Sequence, residues 1–549
     1  MTYVITQPCC NDASCVAVCP VNCIHPRPDE PNFMTAEMLY IDPDTCIDCA
    51  ACIAECPVDA ILSEDDLEEH EVPYLAINAA YYEKHPVADG TPDPPATRKS
   101  DYSGLRVAIV GSGPAACYAA TDLMSCAGVN VNMFERLHTP LGLIRSGVAP
   151  DHPGTKRVSE SFRPLWSKPG FTMTLGVEIG KDLSHDELLQ HHHAVIYAHG
   201  ASADRRLGIP GEDLQGSHAA SEFVAWYNGH PDYVSRDFDL TGNRAVIIGN
   251  GNVALDIARI LMTDPDELGK TDIADHALAA LRKSNLTEVV VVGRRGPAHS
   301  AFTNSELLAL TSRTDLDVVV DVGDFAASGI DPFALADPEP SARIKAELLG
   351  QLVNKPLRAD RKRIVLRYYE SPVAVLGDES VQGIRLATNS TDSVSIVESE
   401  SHDIETGLVL RSIGYRGVPL KDVPFDEARG IVPNEQGRVV DPSSGTPVTG
   451  VYTTGWIKRG PSGGIGTNKL CAAQTVACLL EDFDLDKLEA PHADHTALEV
   501  HIKTRVPDAI DFAGWSDIDR AERAAGAKLR RPRVKFVDVT EMLGALRIT

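Results

Sequence analysis

Nine of the 13 cysteines in this 549-residue chain fall within its first 56 residues, seven of them spaced in two runs that each close on Cys-Pro. The runs are Cys9-x2-Asp12-x2-Cys15-x3-Cys19-Pro20 and Cys46-x2-Cys49-x2-Cys52-x3-Cys56-Pro57. Gaps of two residues let three thiolates close on one inorganic iron–sulfur cluster, while the fourth cysteine of each run reaches across to the other cluster. Cluster I then takes Cys9, Cys15 and Cys56, and cluster II takes Cys19, Cys46, Cys49 and Cys52. Disulfides and zinc are the competing explanations of a cysteine-dense stretch. A disulfide framework belongs to small secreted chains, and no apolar signal segment precedes Cys9. Zinc sites use paired Cys-x2-Cys units rather than a triple spacing followed by Cys-Pro, written twice.

Asp12 departs from the pattern, standing where cluster I needs a fourth thiolate. A carboxylate is a harder and weaker iron ligand than a thiolate. Cluster I is therefore either a 3Fe-4S centre or a 4Fe-4S centre whose last corner is held by Asp12, water or Cys10. Cluster II, with four thiolates, is expected to be 4Fe-4S. Cys23 has no ligand slot left and reads as a free thiol packed nearby.

The charge is lopsided. Residues 1–103 hold 19 Asp or Glu against four Lys or Arg, which is −15 of the chain's net −27. Nucleic acid is excluded as a partner, because phosphate binding wants a basic stripe. The acidity fits either an electron carrier that docks on a basic patch or a face that maintains solubility. No apolar run is long enough to span a membrane, and a cytoplasmic enzyme is expected.

Residues 1–62 are too short to fold on a hydrophobic core and would be organised by their clusters. Residues 63–83 read as a tail wrapping that module, and the proline-rich stretch 84–103 as a linker. From residue 105 onward, β-branched runs alternate with Ala/Leu-rich stretches, as in stacked strand–helix–strand units. Residues 105–110 predict a strand that runs into Gly111-Ser-Gly113-Pro-Ala115-Ala116, a helix reaching Gly128, and a second strand ending in Glu135. The glycines let backbone approach a pyrophosphate at the helix N-terminus, and Glu135 can accept from ribose hydroxyls, so the site takes FAD or NAD.

The unit recurs with a strand at 244–248, the turn Gly249-Asn250-Gly251-Asn252-Val253-Ala254, a helix from Asn252 to Met262, and a strand at 288–292. This second strand ends in Gly293-Arg294-Arg295. Two guanidiniums bind a 2′-phosphate that a carboxylate would repel, so this site is for NADP. The long spacing from Gly251 to Arg295 implies an inserted helical excursion over 264–286. Strands ending in Gly200 and Gly414 fall where the chain would cross between the two nucleotide-binding halves. A strand ending near Gly455-Trp456 precedes a glycine-rich loop and a helix from Asn468, whose N-terminal charge would favour a reduced flavin.

With these motifs quoted, residues 104–549 resemble the adrenodoxin-reductase type of ferredoxin–NADP+ reductase. The likeness rests on Gly111-Ser-Gly-Pro-Ala115, the stretch from Leu141 to His152, Asn250-Gly-Asn-Val253, Arg294-Arg295-Gly-Pro, and Gly455-Trp-Ile-Lys-Arg-Gly-Pro-Ser-Gly-Gly-Ile465-Gly-Thr-Asn. The whole chain is similar to the actinobacterial form with a fused ferredoxin domain. The resemblance implies an α+β ferredoxin-like two-cluster domain joined to an α/β, Rossmann-like flavoprotein with two dinucleotide-binding domains. The expected divisions are 1–83 for the iron–sulfur domain, 84–103 for the linker, 104–206 and 421–549 for the FAD domain, and 207–420 for the NADP domain.

By the same resemblance, Gly111, Gly113, Ala115, Glu135, Leu143, Ile179, Trp456, Gly463, Gly464 and Ile465 meet FAD. Asn250, Gly251, Asn252, Val253, Arg294, Arg295, Glu306 and Gly463 meet NADP. Gly464 stands where a β-branched residue is commoner. His152 is a candidate proton relay or a hydrogen-bonded core histidine. His191-His192-His193 lacks Cys or carboxylate partners at ligand spacing and is not expected to bind metal; Cys117, Cys126, Cys471 and Cys478 read as core.

The expected activity is hydride transfer from NADPH to FAD, then single electrons to the clusters and an external ferredoxin or other one-electron acceptor, a monooxygenase system among them, or the reverse flow. Two alternatives stay open at this level: an NADPH-linked electron-input subunit of a synthase, and a non-enzymatic iron–sulfur sensor.

Overall fold

The computed structural model describes residues 2–87, 101–321, 333, 339–353, 356–358, 360–389, 396–493 and 495–546. Most of the expected linker, 88–100, lies outside the described residues.

The N-terminal module is a duplicated unit. Cys9 and Cys46 lie 37 residues apart, and the same offset relates helix Ser14–Val18 to Ala51–Glu55 and strand Ile24–His25 to the start of Ile61–Ser63. The outer strands, Tyr3–Ile5 and Ile61–Ser63, pair antiparallel, as do the inner strands Ile24–His25 and Tyr40–Ile41. The backbone is left-handed at matched positions: Asn11 and Asp48 (φ 60° and 57°), Ala13 and Ala50 (58° and 61°), Asn22 and Asp59 (52° and 53°). The tail does wrap the module. In helix Pro73–Tyr81, buried Asn78 accepts from the N–H groups of Ile5 (3.2 Å) and Ile41 (2.9 Å) and donates to the Ile5 carbonyl (3.0 Å). The Tyr82 hydroxyl reaches the carbonyls of Cys23 and Tyr40 at 2.9 and 2.6 Å. Buried polar groups satisfied in this way tie the tail's register to both strand pairs.

The rest of the chain forms two α/β units. A seven-stranded sheet runs in the order Asn434–Glu435, Arg438–Val440, Pro447–Thr453, Ala194–Tyr197, Arg106–Val110, Asn130–Glu135, Phe171–Leu175. Its central strands are parallel and buried on both faces, which is why they read as unbroken apolar runs. A six-stranded, wholly parallel sheet has the order Ser217–Ala219, Leu408–Arg411, Arg244–Ile248, Glu288–Gly293, Lys362–Tyr368, Leu316–Asp321. The two crossing segments pair with each other through Ala203–Asp204 and Tyr415–Arg416.

Three details differ from or add to the sequence reading. The first nucleotide-site helix is Pro114–Leu123 and does not reach Gly128: Ser125 donates its hydroxyl to the Asp122 carbonyl, and Gly128 turns the chain at φ +84°. The excursion after Met262 holds two short helices, Pro265–Leu268 and Asp275–Leu281. A three-stranded antiparallel sheet of Glu370–Leu376, Gly383–Asn389 and Ile396–Glu405 was not anticipated.

The module sits across the seam between the two units. Toward the six-stranded unit, Glu37 accepts from the Asn304 N–H (3.0 Å) at the start of helix Asn304–Thr311 and pairs with buried Lys345 (3.0 Å). A carboxylate at a helix N-terminus completes an open donor and is favoured by the helix dipole. Glu83 pairs with Arg343 at 2.8 Å. Toward the seven-stranded unit, Asp59 pairs with Arg157 and Asp12 with Lys469 (3.5 Å). Among the described residues no helix is long and apolar enough to cross a membrane.

His230 shows how burial sets acid stability. Burial holds its ring down to about 4, and Nδ1 accepts the Asp232 N–H at 3.3 Å. A folded-state histidine below its unfolded value of about 6.5 costs nothing above that pH, whereas on acidification the unfolded chain gains a proton that the folded one refuses. Stability is therefore lost between about pH 6.5 and 4, at up to about 1.4 kcal/mol per pH unit from this residue. Chemical unfolding of His230→Asn across that range is expected to show a shallower pH slope than the parent protein.

Candidate functional site

The two glycine turns are built alike. Gly111 has φ +104°, and a Cβ there would lie 2.7 Å from the Ala198 carbonyl oxygen; Gly249 has φ +107°, with the Ser412 carbonyl oxygen at 2.1 Å. In each cradle the first glycine thus lets the turn close on a neighbouring crossing strand. The second glycines, Gly113 and Gly251, are the N-caps of helices Pro114–Leu123 and Asn252–Met262. A Cβ on either would meet nothing within 4 Å, so both face open space in front of a helix N-terminus. That geometry fits a pyrophosphate in each cradle.

Around the first cradle, Glu135 ends strand Asn130–Glu135 and accepts from the Ser112 N–H (3.1 Å), the Ser112 hydroxyl (2.7 Å) and the Leu137 N–H (3.0 Å). These bonds fix the carboxylate beside the turn. Leu143 is 40% exposed although apolar, as expected of a wall that a cofactor covers. Ile179 is buried, and Trp456 lies 5.5 Å from the Tyr415 ring. Gly455 packs its Cα against helix Pro114–Leu123, where a Cβ would sit 2.5 Å from that of Ala115. In the adjoining loop, Arg459 Nε and Nη1 are buried without a hydrogen-bond partner among the described residues, which suits a ligand that supplies acceptors. Around the second cradle, Arg294 and Arg295 are exposed where strand Glu288–Gly293 ends, and neither is matched with an acid among the described residues.

The glycine-rich loop after Trp456 is also where the module docks. The Gly466 N–H donates to the Cys10 carbonyl at 2.7 Å. A Cβ on Gly466 would stand 2.2 Å from the Asp12 nitrogen, and one on Gly464 would lie 3.7 Å from the Cys10 carbonyl oxygen. The loop assigned to the flavin thus touches the loop assigned to cluster I.

In the module, Cys19, Cys46, Cys49 and Cys52 line one small cavity together with Ile24, Ile41 and Cys23. Cys23 lies 3.4 Å from Cys19, sulfur to sulfur, as expected of a neighbouring thiol. The repeat extends to sulfur acceptors: the Cys23 N–H donates to Cys19 Sγ (3.3 Å) and the Ala60 N–H to Cys56 Sγ (3.2 Å). Left-handed turns at non-glycine residues cost about 1 kcal/mol or more each, and bonds from thiolates to a cluster would repay them. The residues therefore fit two clusters. Asp12 is already engaged, because its oxygens accept from the Ser14 N–H (3.4 Å) and hydroxyl and face Lys469.

His152 and Glu306 meet in a polar network that the sequence did not reveal. Arg259, 6% exposed, donates to Asp151 (2.6 and 3.0 Å), Asp256 (2.7 Å) and Glu306 (3.3 Å). Although burial pushes the Asp151 carboxyl up, Arg259 holds it below its usual range; burial and the Asp256 charge push Glu306 up. His152 Nδ1 faces Glu306 at 3.8 Å and Asp256 at 4.0 Å. Their ligand atoms converge within 4.8 Å, as in a metal site, but the Arg259 guanidinium occupies the cation's role. The available signal was an Asp256-x2-Arg259 pair inside an otherwise apolar helix.

Other candidates are structural. His192 bonds the Leu188 carbonyl (2.8 Å) and Asn132 (2.7 Å), and His193 accepts the Arg106 N–H (3.1 Å). Cys117, Cys126, Cys471 and Cys478 are buried. A cavity of about 490 Å³ between Trp166, Trp515 and several basic side chains is an ion-pair seam, with Lys156 and Lys535 both on Asp272 and with Arg145 and Arg533 both on Glu522.

Two glycine-turn cradles, one ending in an acid and the other in two arginines, joined to a duplicated cysteine module with one four-cysteine cavity, define a two-dinucleotide oxidoreductase with an iron–sulfur module. The pyridine nucleotide-disulphide oxidoreductase family matches residues 105–296, and the 4Fe-4S dicluster domain matches 9–60 and, in a second form, 38–86. The chain is 53% identical over 556 residues to a probable ferredoxin/ferredoxin–NADP reductase of Mycobacterium bovis, covering 99% of this chain and 95% of that one. It is 38% identical to the mitochondrial NADPH:adrenodoxin oxidoreductase of Arabidopsis thaliana, over 80% of this chain and 95% of the relative. The solved structure of Mycobacterium tuberculosis FprA in complex with NADPH superposes with a TM-score of 0.73 at 41% identity, over 80% of this chain and 99% of that one. The chain belongs to the ferredoxin/ferredoxin–NADP reductase family.

The two neighbouring glycines give a discriminating test of the docked contact. Gly466→Ala drives a Cβ into module backbone and is expected to cost about 2 kcal/mol or more and to release the module, seen as a larger radius in solution scattering. Gly464→Ala, with room for its Cβ, is expected to leave both stability and radius unchanged.

Proposed function

We propose that this chain is an FAD-dependent ferredoxin–NADP+ reductase that moves electrons between NADPH and an external one-electron carrier through its own iron–sulfur module. The observation that carries the reading is the contact of the Cys10 carbonyl with the Gly466 N–H, which sets the cluster I loop directly on the flavin loop. When bound, FAD supplies the exchange between hydride and single electrons, and the clusters supply one-electron carriage.

The chain's own residues bind and orient. Gly111, Gly113, Ala115 and Glu135 hold the FAD pyrophosphate and ribose, with Leu143, Ile179, Trp456 and Gly463 to Ile465 enclosing the remainder. Asn250 to Val253 seat the NADP pyrophosphate, and Arg294 with Arg295 clamps the 2′-phosphate. Glu306 faces away from solvent toward Arg259 and Gln7, so it would meet NADP as a member of this network rather than as a free surface charge.

Cluster II is read as 4Fe-4S on its four thiolates. Cluster I is read as 3Fe-4S, because Asp12 is spoken for by Ser14 and Lys469. The outward face favours a basic partner: Cys49 is exposed, Ile47 is 58% exposed, and Asp44, Asp48, Glu55, Asp65 and Asp66 around them carry no ion pair among the described residues. An apolar centre inside an unpaired acidic rim suits a carrier with the reverse charge.

Arg294→Ala with Arg295→Ala is expected to raise the Michaelis constant for NADPH at least about tenfold, since charge-assisted bonds to phosphate are among the stronger contacts, while changing that for NADH little. Equal effects on both nucleotides would sink the assignment. Electron paramagnetic resonance of anaerobically purified protein, with iron counts, is expected to give a three-iron signal in the oxidised state and a four-iron signal on reduction. An eight-iron count with no oxidised signal would overturn the reading of cluster I.

A further inference from the structure

Gln7 comes from the N-terminal module, yet its side chain ends inside the network that joins the two nucleotide units. Its amide nitrogen lies 3.2 Å from Glu306 Oε1 and 3.4 Å from His152 Nε2. A Cβ added at Gly154 would lie 3.4 Å from the Pro8 ring, so the module's first loop runs beside the segment carrying His152. We propose that Gln7 is a positioning residue for hydride transfer: it holds His152 in one tautomer beside an ionised Glu306, making the docked module part of the NADPH half of the reaction as well as its outlet.

The chemistry of the contacts fixes the arrangement. A carboxylate accepts and cannot donate, so Glu306 selects the amide NH2 of Gln7 over its oxygen. The second hydrogen of that NH2 then points at His152 Nε2, which must offer a lone pair. The ring proton is left on Nδ1, facing Glu306 and Asp256. An imidazolium would set an N–H against an NH2, and a protonated Glu306 would weaken its acceptor. Gln7 therefore favours an ionised Glu306.

The charges around Glu306 come from every packed element. Arg259 and Asp256 belong to helix Asn252–Met262, and Asp151 adjoins His152. Tyr74 of the module faces Glu306, and Tyr227 faces Asp256 and Asp151. One guanidinium among three carboxylates leaves surplus negative charge that favours a proton on Glu306, and Gln7 is the neutral donor opposing it.

The inference rests on the reductase reading, and flavin bleaching by NADPH under anaerobic stopped flow tests the two separately. With Gln7→Leu the pH limb of flavin reduction is expected to move up by about one unit, with the rate at neutral pH falling about tenfold and NADPH saturation unchanged. Gln7→Glu, which sets another carboxylate beside Glu306, is expected to move the limb further in the same direction. Arg343→Ala loosens the same module at its exposed pair with Glu83 and is expected to leave the profile in place; iron counts equal to the parent's show that each variant is folded and loaded. Wild-type profiles for both Gln7 variants, or an equal displacement in Arg343→Ala, would overturn the assignment. A parent protein whose flavin NADPH cannot bleach would instead remove the reading beneath it.

Discussion

The structure turns on a place where a side chain is missing. At Gly466 the glycine-rich loop after Trp456 and the Cys10 loop of the module meet backbone to backbone, with one N–H···O=C bond of 2.7 Å and no room for a Cβ. Backbone contact is stiffer than contact through long side chains, which would pay rotamer entropy to hold a fixed spacing. Once that point is set, the other contacts follow as a rigid footprint: Asp12 reaches Lys469, Asp59 reaches Arg157, and Glu37 caps the helix at Asn304. The module is thereby pinned to both nucleotide units at once, and a motion of one unit against the other would have to break contacts on one side of it.

What was legible in the sequence was what local spacing encodes. Thiolates two residues apart, glycines at the turn of a strand into a helix, and Arg294-Arg295 at a strand end all carry their meaning within a few residues, because one supersecondary unit places them. The partners of Gln7, Glu37 and Asp59 lie about a hundred or more residues away, and nothing local to a glutamine or glutamate announces such a partner. Arg259 was half legible, as a charge in an apolar helix, but the three carboxylates it faces come from three elements. Gly464 shows an intermediate case. The sequence flags it as a departure from the related pattern, and only the structure sets it beside Cys10, with room for a Cβ.

Local propensity was overridden where turns intervene. The stretch after Leu123 has helix-forming residues, yet Gly128 in the left-handed region and the Ser125 bond to Asp122 end the helix early and return the chain to the next strand. The antiparallel sheet of 370–405 was hidden for another reason. Strands Glu370–Leu376 and Gly383–Asn389 carry polar residues such as Glu370, Ser371, Arg385 and Thr388, so they lack the continuous apolar runs that marked the buried parallel strands.

The module's acidity resolves into two faces. On the inner face Asp12, Glu37, Asp59 and Glu83 each meet a cation of the reductase: Lys469, Lys345, Arg157 and Arg343. On the outer face, Asp44, Asp48, Glu55, Asp65 and Asp66 surround the exposed edge of the second cage without such partners among the described residues. A charge-balanced inner face and a charge-bare outer face, on one module made of two copies of the same unit, are hard to assign to solubility alone, since solubility asks nothing about which side is paired. The reductase's own basic residues show what kind of surface this unit fits. The outer rim, with Ile47 and Ile53 exposed, is the surface on which the proposed basic carrier would dock, and an acidic carrier would be repelled there.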